Sequence, residues 1–247
     1  MYIIFDTETT GLPKRWDAPI TDTDNWPRCI QLAWQIHDEM GNLVEHHDFL
    51  IKPDGFDIPY DSEKIHGIST ALAEEQGLPL QEVLEKFNVA LNKAKFVVGQ
   101  NIGFDLNIMG CEFYRYGVVS NMANMPVLDT CTEVTAELLK IPGGRGGRFK
   151  LPNLTELHSY LFGVPFAEAH NATADVEATT RCFLELVRRE VFTAEELQVD
   201  TGYFVDFKTN NPGPIPTVGL KHINLKAASD EIRKRSQPDE VKVVVDA

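Results

Sequence analysis

Hydrophobic and polar positions along the chain fall into blocks with two different periods. YIIFD (2–6) is a short β-branched and aromatic run, the composition of a buried strand. IQLAWQI (30–36) and LVEHHDFLI (43–51) flank the turn signal Glu39-Met40-Gly41-Asn42 and predict a hairpin. FVVG (96–99) and VLDT (127–130) predict two more strands. Helical spacing governs LQEVLEKFNVAL (80–91), where Val83, Leu84, Phe87 and Leu91 share a face. Further helices are predicted from Phe104 to about Tyr116, near 133–140, around Leu154–Phe162 and from about Ala172 to Glu190. The last carries Val176, Thr180, Phe183, Leu184 and Val187 on one side.

A hairpin followed by alternating strands and helices implies an α/β fold with a mixed sheet and helices on both faces. Two regions stand apart. One is a loop rich in Pro, Asp and Trp from Pro13 to Pro27. The other begins after Val191, where periodicity fades into a segment with Pro212, Pro214 and Pro216 and a basic patch of Lys221, Lys226, Arg233, Lys234 and Arg235. The expected organisation is one domain over 1–190 and a C-terminal extension or linker over 191–247, without internal repeats.

Composition narrows the class. The 247 residues, 43% hydrophobic and 24% charged, suffice for a sizeable core. No apolar run approaches the roughly 18 residues of a membrane-spanning helix, and Met1 leads straight into a core strand with no signal segment. An intracellular, cytoplasmic protein without a membrane partner is expected. Cys29, Cys111, Cys131 and Cys182 are scattered, as buried thiols are in a reducing compartment. The net charge of -14 argues against non-specific adhesion to long nucleic acid. An enzyme gripping a few nucleotides through metal ions is still compatible with it.

The candidate chemistry is acidic. Asp6 and Glu8 lie two apart, so they project to one face if the first strand runs through both; the alternative is a solvated strand end. In VVGQNIGFD (97–105), Asp105 falls near a helix start, where a simple cap is the alternative. In AHNATADVEATTRCF (169–183), Asp175 lies in the first turns of a helix and His170 just outside it, with capping by Asn171 or Thr173 as the alternative. Taken together, four acids at the ends of apolar elements, with a histidine beside the last, suit a divalent-metal site for Mg²⁺ or Mn²⁺.

F-D-T-E-T-T-G-L, N-x-x-F-D and H-N-A-x-x-D resemble, in order and spacing over about residues 1–190, the three motifs of the DEDDh exonucleases. That family includes the epsilon subunit of bacterial DNA polymerase III and ribonuclease T. E-K-I-H-G-I-S (63–69) resembles the family's segment near the substrate's 3′ end. The resemblance implies a ribonuclease H-like fold with about five strands, and a 3′→5′ exonuclease releasing nucleoside 5′-monophosphates. It implies two divalent cations, with Asp6 bridging both, Glu8 and Asp175 completing one site and Asp105 holding the other. His170 is implied as general base, since imidazoles exchange protons near neutral pH. Thr9, Thr10, Gly11, Leu12, His66 and Phe104 are implied to contact the terminal nucleotide.

Implied substrates are single-stranded or frayed 3′ ends, DNA ahead of RNA, with RNA 3′-end trimming as the alternative. A replicative DNA polymerase is the implied partner, in the same polypeptide or as a separate subunit, because the chain resembles the exonuclease portion of some polymerase III alpha subunits. Proofreading follows from that pairing. Gln100 departs from the histidine often found before the Asn of the second motif, and the 13–27 loop is longer than usual.

Other features invite weaker readings. Asp129 with Thr130 reads as a capped strand end. PGGRGGRFK (142–150) lacks the Lys-Ser/Thr of a phosphate-binding loop, though Arg145, Arg148 and Lys150 offer contacts to a substrate backbone. Trp16, Trp26 and Trp34 offer rings for stacking on bases, but two sit in the 13–27 loop and one in a strand, which favours packing. A haloacid dehalogenase-like phosphatase would need a second aspartate where Glu8 stands, and a non-catalytic binding module would be marked by a missing acid.

Overall fold

The computed structural model describes residues 1–166, 170–220 and 223–235. Five strands form one sheet: β1 (Tyr2–Thr9), β2 (Cys29–His37), β3 (Leu43–Leu50), β4 (Phe96–Gly99) and β5 (Val127–Asp129). Their spatial order is β3-β2-β1-β4-β5. The β1–β2 and β2–β3 pairs are antiparallel, whereas β1–β4 and β4–β5 are parallel. The helices are α1 (Tyr60–His66), α2 (Thr70–Gln76), α3 (Leu80–Leu91), α4 (Gly103–Tyr116), α5 (Glu133–Leu139), α6 (Leu154–Phe162), α7 (Ala172–Arg188), α8 (Ala194–Leu197), α9 (Tyr203–Asn210) and α10 (Leu225–Arg235). This is the expected mixed five-stranded, ribonuclease H-like architecture.

Alternation along β1 builds a core on each side of the sheet. Ile3 and Phe5 join Leu32, Trp34, Phe87, Ile108 and Met109 in the cluster that contains α3 and α4. Tyr2 and Ile4 join Val98, Val176, Phe183 and Val187 in the cluster that contains α7. Both faces are covered, so β1 is apolar at successive positions until its end. The period of two then sends Asp6 and Glu8 to the α7 side and Thr7 to the α4 side.

After Val191 the chain does not run free. Tyr203, Phe204, Phe207 and Ile215 are buried in the α7-side cluster. The Tyr203 hydroxyl donates to the Glu39 carbonyl at 2.7 Å and the Asn211 amide to the Met40 carbonyl at 2.9 Å, clipping α9 to the β2–β3 turn. Leu225 and Ile232 of α10 enter a third cluster with Ile30, Ile58, Ile68 and Leu72. Over its described parts, 191–220 and 223–235, the expected extension or linker contributes side chains to these clusters. Two arginines of the basic patch are paired there: Arg233 with Glu63 and Asp230, and Arg235 with Glu75 and Glu231. Lys221 and 236–247 lie outside the described residues.

Candidate active site

Three chain segments deliver the acids. The register of β1 against β2 shifts between Glu8 and Thr9, so the strand breaks step immediately after its second carboxylate. One carboxylate oxygen from each of Asp6, Glu8 and Asp175 lies within 4.8 Å of the others. Asp175 reaches them from the first turn of α7, the helix packed on that face of β1. Asp105 enters from the first turn of α4, on the opposite face. Its Oδ1 accepts from the Thr7 main-chain N–H at 3.0 Å and from the Thr7 hydroxyl at 2.6 Å. Thr7 thereby ties the fourth acid to the strand residue between the first two.

Electrostatics record the crowding. Burial is the leading cause of every shift among the four, with carboxylate repulsion beneath it. Asp6 is held well above the usual carboxylate range by burial, then by Asp105, Asp175 and Glu8. Burial and then Asp175 and Asp105 push Glu8 up to about 8. Asp105 rises to about 7, burial outweighing the hydrogen bonds from Thr7. Asp175 also rises to about 7, burial outweighing the His170 main-chain hydrogen bond. Among the described residues no lysine or arginine pairs with any of the four. Clustered oxygen donors lacking a side-chain counter-cation fit a hard divalent ion.

His170 stands at the margin, exposed, with φ of 70°. Its main-chain N–H donates to Asp175 Oδ2 at 2.9 Å, so the histidine and the last acid share one anchor. His66, the last residue of α1, is buried, and its Nδ1 accepts from the Ile68 N–H at 3.0 Å. Burial, and then the proximity of His170, push His66 down to about 4. The two histidines line a cavity of about 200 Å³ with Asn171, Asn224 and Lys226.

The segment after β1 is a shaped turn. Thr9 donates its hydroxyl to the Gly11 carbonyl at 2.8 Å, and the Thr10 hydroxyl accepts from the Arg28 N–H at 2.9 Å. These two hydroxyls therefore hold the backbone, and Gly11 has a φ of 145° that disfavours a side chain. Leu12 is left 73% exposed at the rim. Phe104 is half-buried, one edge on the α4-side core.

Two positioning residues were not singled out in the sequence. Thr7 is one. The other is Gln31, directly across the strand pair from Glu8, which accepts from the Ala172 N–H at 3.2 Å and donates to Asp48 at 2.8 Å. It secures the first residue of α7 to the sheet. The signal was a polar residue inside an otherwise apolar run. Asp129 serves as a cap rather than an acid of the cluster: its carboxylate accepts from the N–H groups of Asn101, Ile102 and Cys131, supporting the start of α4. Gln100 donates to the Pro152 carbonyl at 2.8 Å. In the Gly-rich loop, Arg148 pairs with Glu133 at 2.7 Å and Lys150 with Glu156 at 2.6 Å, which leaves Arg145 as the cation there without an ion pair among the described residues.

The sequence pattern of the RNase_T exonuclease family matches residues 3–183, spanning all four acids and His170. The chain belongs to that family. It is a 3′→5′ exonuclease of the DEDDh type. A Pediococcus pentosaceus DNA polymerase III PolC-type protein is 30% identical over 186 residues, 75% of this chain and 11% of the relative. A Streptococcus thermophilus DNA polymerase III PolC-type protein is 28% identical over 237 residues, 96% of this chain and 13% of the relative. The exonuclease thus spans only a small fraction of the polymerases it resembles. Among solved structures, E. coli exonuclease I in complex with a dA16 oligonucleotide superposes with a TM-score of 0.58 at 21% identity, over 80% of this chain and 42% of that one. Exonuclease I from Methylocaldum szegediense gives 0.56 at 25% identity, over 76% and 40%. No helix among the described residues is long and apolar enough to cross a membrane.

Proposed function

We propose that this exonuclease removes nucleotides from single-stranded or frayed DNA 3′ ends with the help of two divalent cations, Mg²⁺ or Mn²⁺, and proofreads for a replicative DNA polymerase in the cytoplasm. The observation that carries the reading is the meeting of Asp6, Glu8 and Asp175 within 4.8 Å, with Asp105 tied in through Thr7. Asp6, Glu8 and Asp175 would hold one cation, and Asp105, through the oxygen Thr7 does not engage, would hold the second with Asp6. Cations bound there supply the positive charge that water attack and departure of the 3′ oxygen both require.

The protein's own groups do the rest. The four carboxylates hold negative charge close to a scissile phosphate only when it is offset, so hydrolysis is switched by cation supply. His170, exposed and tethered through its main chain to Asp175, takes the proton of the attacking water at an imidazole nitrogen. His66 stays neutral at physiological pH and offers the terminal nucleotide an uncharged polar surface. The Thr9-Thr10-Gly11 turn presents main-chain groups, and Leu12 an apolar edge to the terminal base.

DNA and the polymerase partnership rest on the PolC-type relatives and on the oligonucleotide bound by exonuclease I. A polymerase surface would also provide the basic groove that a chain of net charge -14 lacks. The test is digestion of matched and 3′-mismatched DNA primers beside an RNA of the same sequence, with and without Mg²⁺. Mg²⁺-dependent release of 5′-monophosphates, faster from the mismatched DNA, is expected. Preference for the RNA would overturn the DNA assignment, and full activity in chelator would overturn the cation assignment.

A further inference from the structure

The loop between β1 and β2 is built to hold one aromatic side chain in solvent. Its anchor is Trp26, buried in the α4-side core, whose indole N–H donates to the Pro19 carbonyl at 3.1 Å. Buried Asn25 clamps the opposite strand of the loop. Its carbonyl accepts from the Lys14 N–H at 3.1 Å, its side-chain oxygen from the Arg15 N–H at 2.8 Å, and its amide donates to the Arg15 carbonyl at 3.0 Å. The Arg115 guanidinium on α4 donates to the carbonyls of Thr23 and Trp26. The next residue after the clamped Arg15 is Trp16, and it is 61% exposed.

Trp16 is not placed at random. Its ring centroid lies 5.9 Å from that of Phe104 with the planes at 52°, and Phe104 directly precedes Asp105 of the acid cluster. A tilted contact on one side leaves a broad indole face open. Asn25 and Arg115 hold the main chain of the loop on either side of Trp16, so little motion is needed to present that face. A chain of net charge -14 offers little general attraction to phosphates away from the acid cluster and the cations it would hold. Base stacking, which does not depend on charge, is the affinity source open to it.

We infer that Trp16, braced by Phe104 and the Asn25 clamp, is a stacking platform for a nucleobase of the single-stranded 3′ end entering the acid cluster. The inference rests on the exonuclease acting on single strands and adds the residue that grips them. The probe is oligo(dT) of eight nucleotides with the full chain. Trp26 and Trp34 are buried, so quenching of exposed tryptophan fluorescence, read with Ca²⁺ in place of Mg²⁺ to fill the acid cluster, reports on Trp16.

Expected are quenching by oligo(dT) that Trp16→Ala abolishes, and a KM for oligo(dT) digestion raised roughly tenfold to a hundredfold in Trp16→Ala with kcat little changed. Trp16→Phe should recover most of the KM, and an oligonucleotide of abasic residues should be digested alike by both chains. An unchanged KM in Trp16→Ala, or an equal penalty on the abasic strand, would overturn the platform while leaving the exonuclease reading intact. A wild-type chain that digests no oligo(dT) with Mg²⁺ would overturn that reading instead, and fluorescence quenching would still decide the platform.

Discussion

The polar end of β1 and the segment from Val191 to Arg235 use the same fold in opposite ways. At the first, Asp6 and Glu8 face Asp175 with carboxylate oxygens within 4.8 Å, and among the described residues no lysine or arginine pairs with them. Each approach of one carboxylate to another there costs stability in the absence of a bound ion. Along the second, aromatic and aliphatic side chains fill two hydrophobic clusters and bring little chemistry to the acids. One region spends part of the folding free energy that the other helps to supply. Function and stability are therefore separable by mutation.

The sharpest separation is at Asp6. Asp6→Asn removes the most crowded carboxylate, so hydrolysis should fall to the detection limit while the melting temperature in chelator rises. Thermal unfolding beside a primer-digestion assay checks both halves. A variant that loses activity and stability together would mean that Asp6 holds the fold, and the contrast would be gone.

Phe207 is the converse. It is fully buried on α9, against Leu184-side packing and the β2–β3 turn. Phe207→Ala should cost about 3–5 kcal/mol, or roughly 6–20 °C in melting temperature, while kcat at a temperature well below melting stays close to that of the parent. Loss of kcat without loss of stability would show that the C-terminal segment takes part in chemistry.

These two regions were unequally legible in sequence, for a physical reason. Strands buried on both faces are apolar runs, so β1, β2 and β4 announced themselves, as did the long amphipathic α3 and α7. Acids at the ends of such runs break the local pattern and are conspicuous. Helix α10 breaks no rule that a single chain displays. Its buried positions are Leu225, Ser229 and Ile232, at helical spacing but with a serine in the middle. Ser229 earns its burial only in three dimensions: its hydroxyl donates to the Gly67 carbonyl at 2.7 Å and accepts from the Ser69 N–H at 3.0 Å. Helix α1 buries only Ser62 and His66, and so shows no apolar stripe either. Thr7 and Gln31 escaped notice because their partners, Asp105 and Ala172, lie 98 and 141 residues away.

A smaller effect separates the regions by pH. Glu8, Asp105 and Asp175 have pKa values raised to about 8, 7 and 7 in the fold. The native state thus holds protons that the unfolded chain has released, and stability falls as pH rises through that range. His66, lowered to about 4, works the other way, because its stability is lost as pH falls below about 6.5. Between about pH 6.5 and 8 the carboxylates act alone. Stability in chelator should decline across that window, by at most about 1.4 kcal/mol per pH unit for each proton that the native state alone still holds, the melting temperature should fall with it, and Mg²⁺ at pH 8 should restore it. Asp6→Asn should flatten the decline. A pH-independent melting curve would mean that the acids are solvated and uncrowded.

The smallest expected change isolates how the fourth acid is held. Thr7→Val keeps the strand residue's shape and its main-chain N–H to Asp105 but deletes the 2.6 Å hydroxyl donor. A hydrogen bond to a charged group is worth about 1.5–3 kcal/mol, and this one favours the ionised carboxylate. Without it, Asp105 should take up a proton more readily and rotate more freely. Mg²⁺ needed for half-maximal activity should rise by roughly tenfold, with the requirement easing as pH increases because deprotonation no longer needs the hydroxyl's help. Thr7 faces the α4 side, away from the aromatic packing of α9, and proton uptake by Asp105 limits the cost of the lost bond, so the melting temperature in chelator should fall by less than in Phe207→Ala. A Mg²⁺ requirement unchanged at all pH values would assign the hydroxyl to packing alone, and Asp105 would then be positioned by α4 without help from the strand.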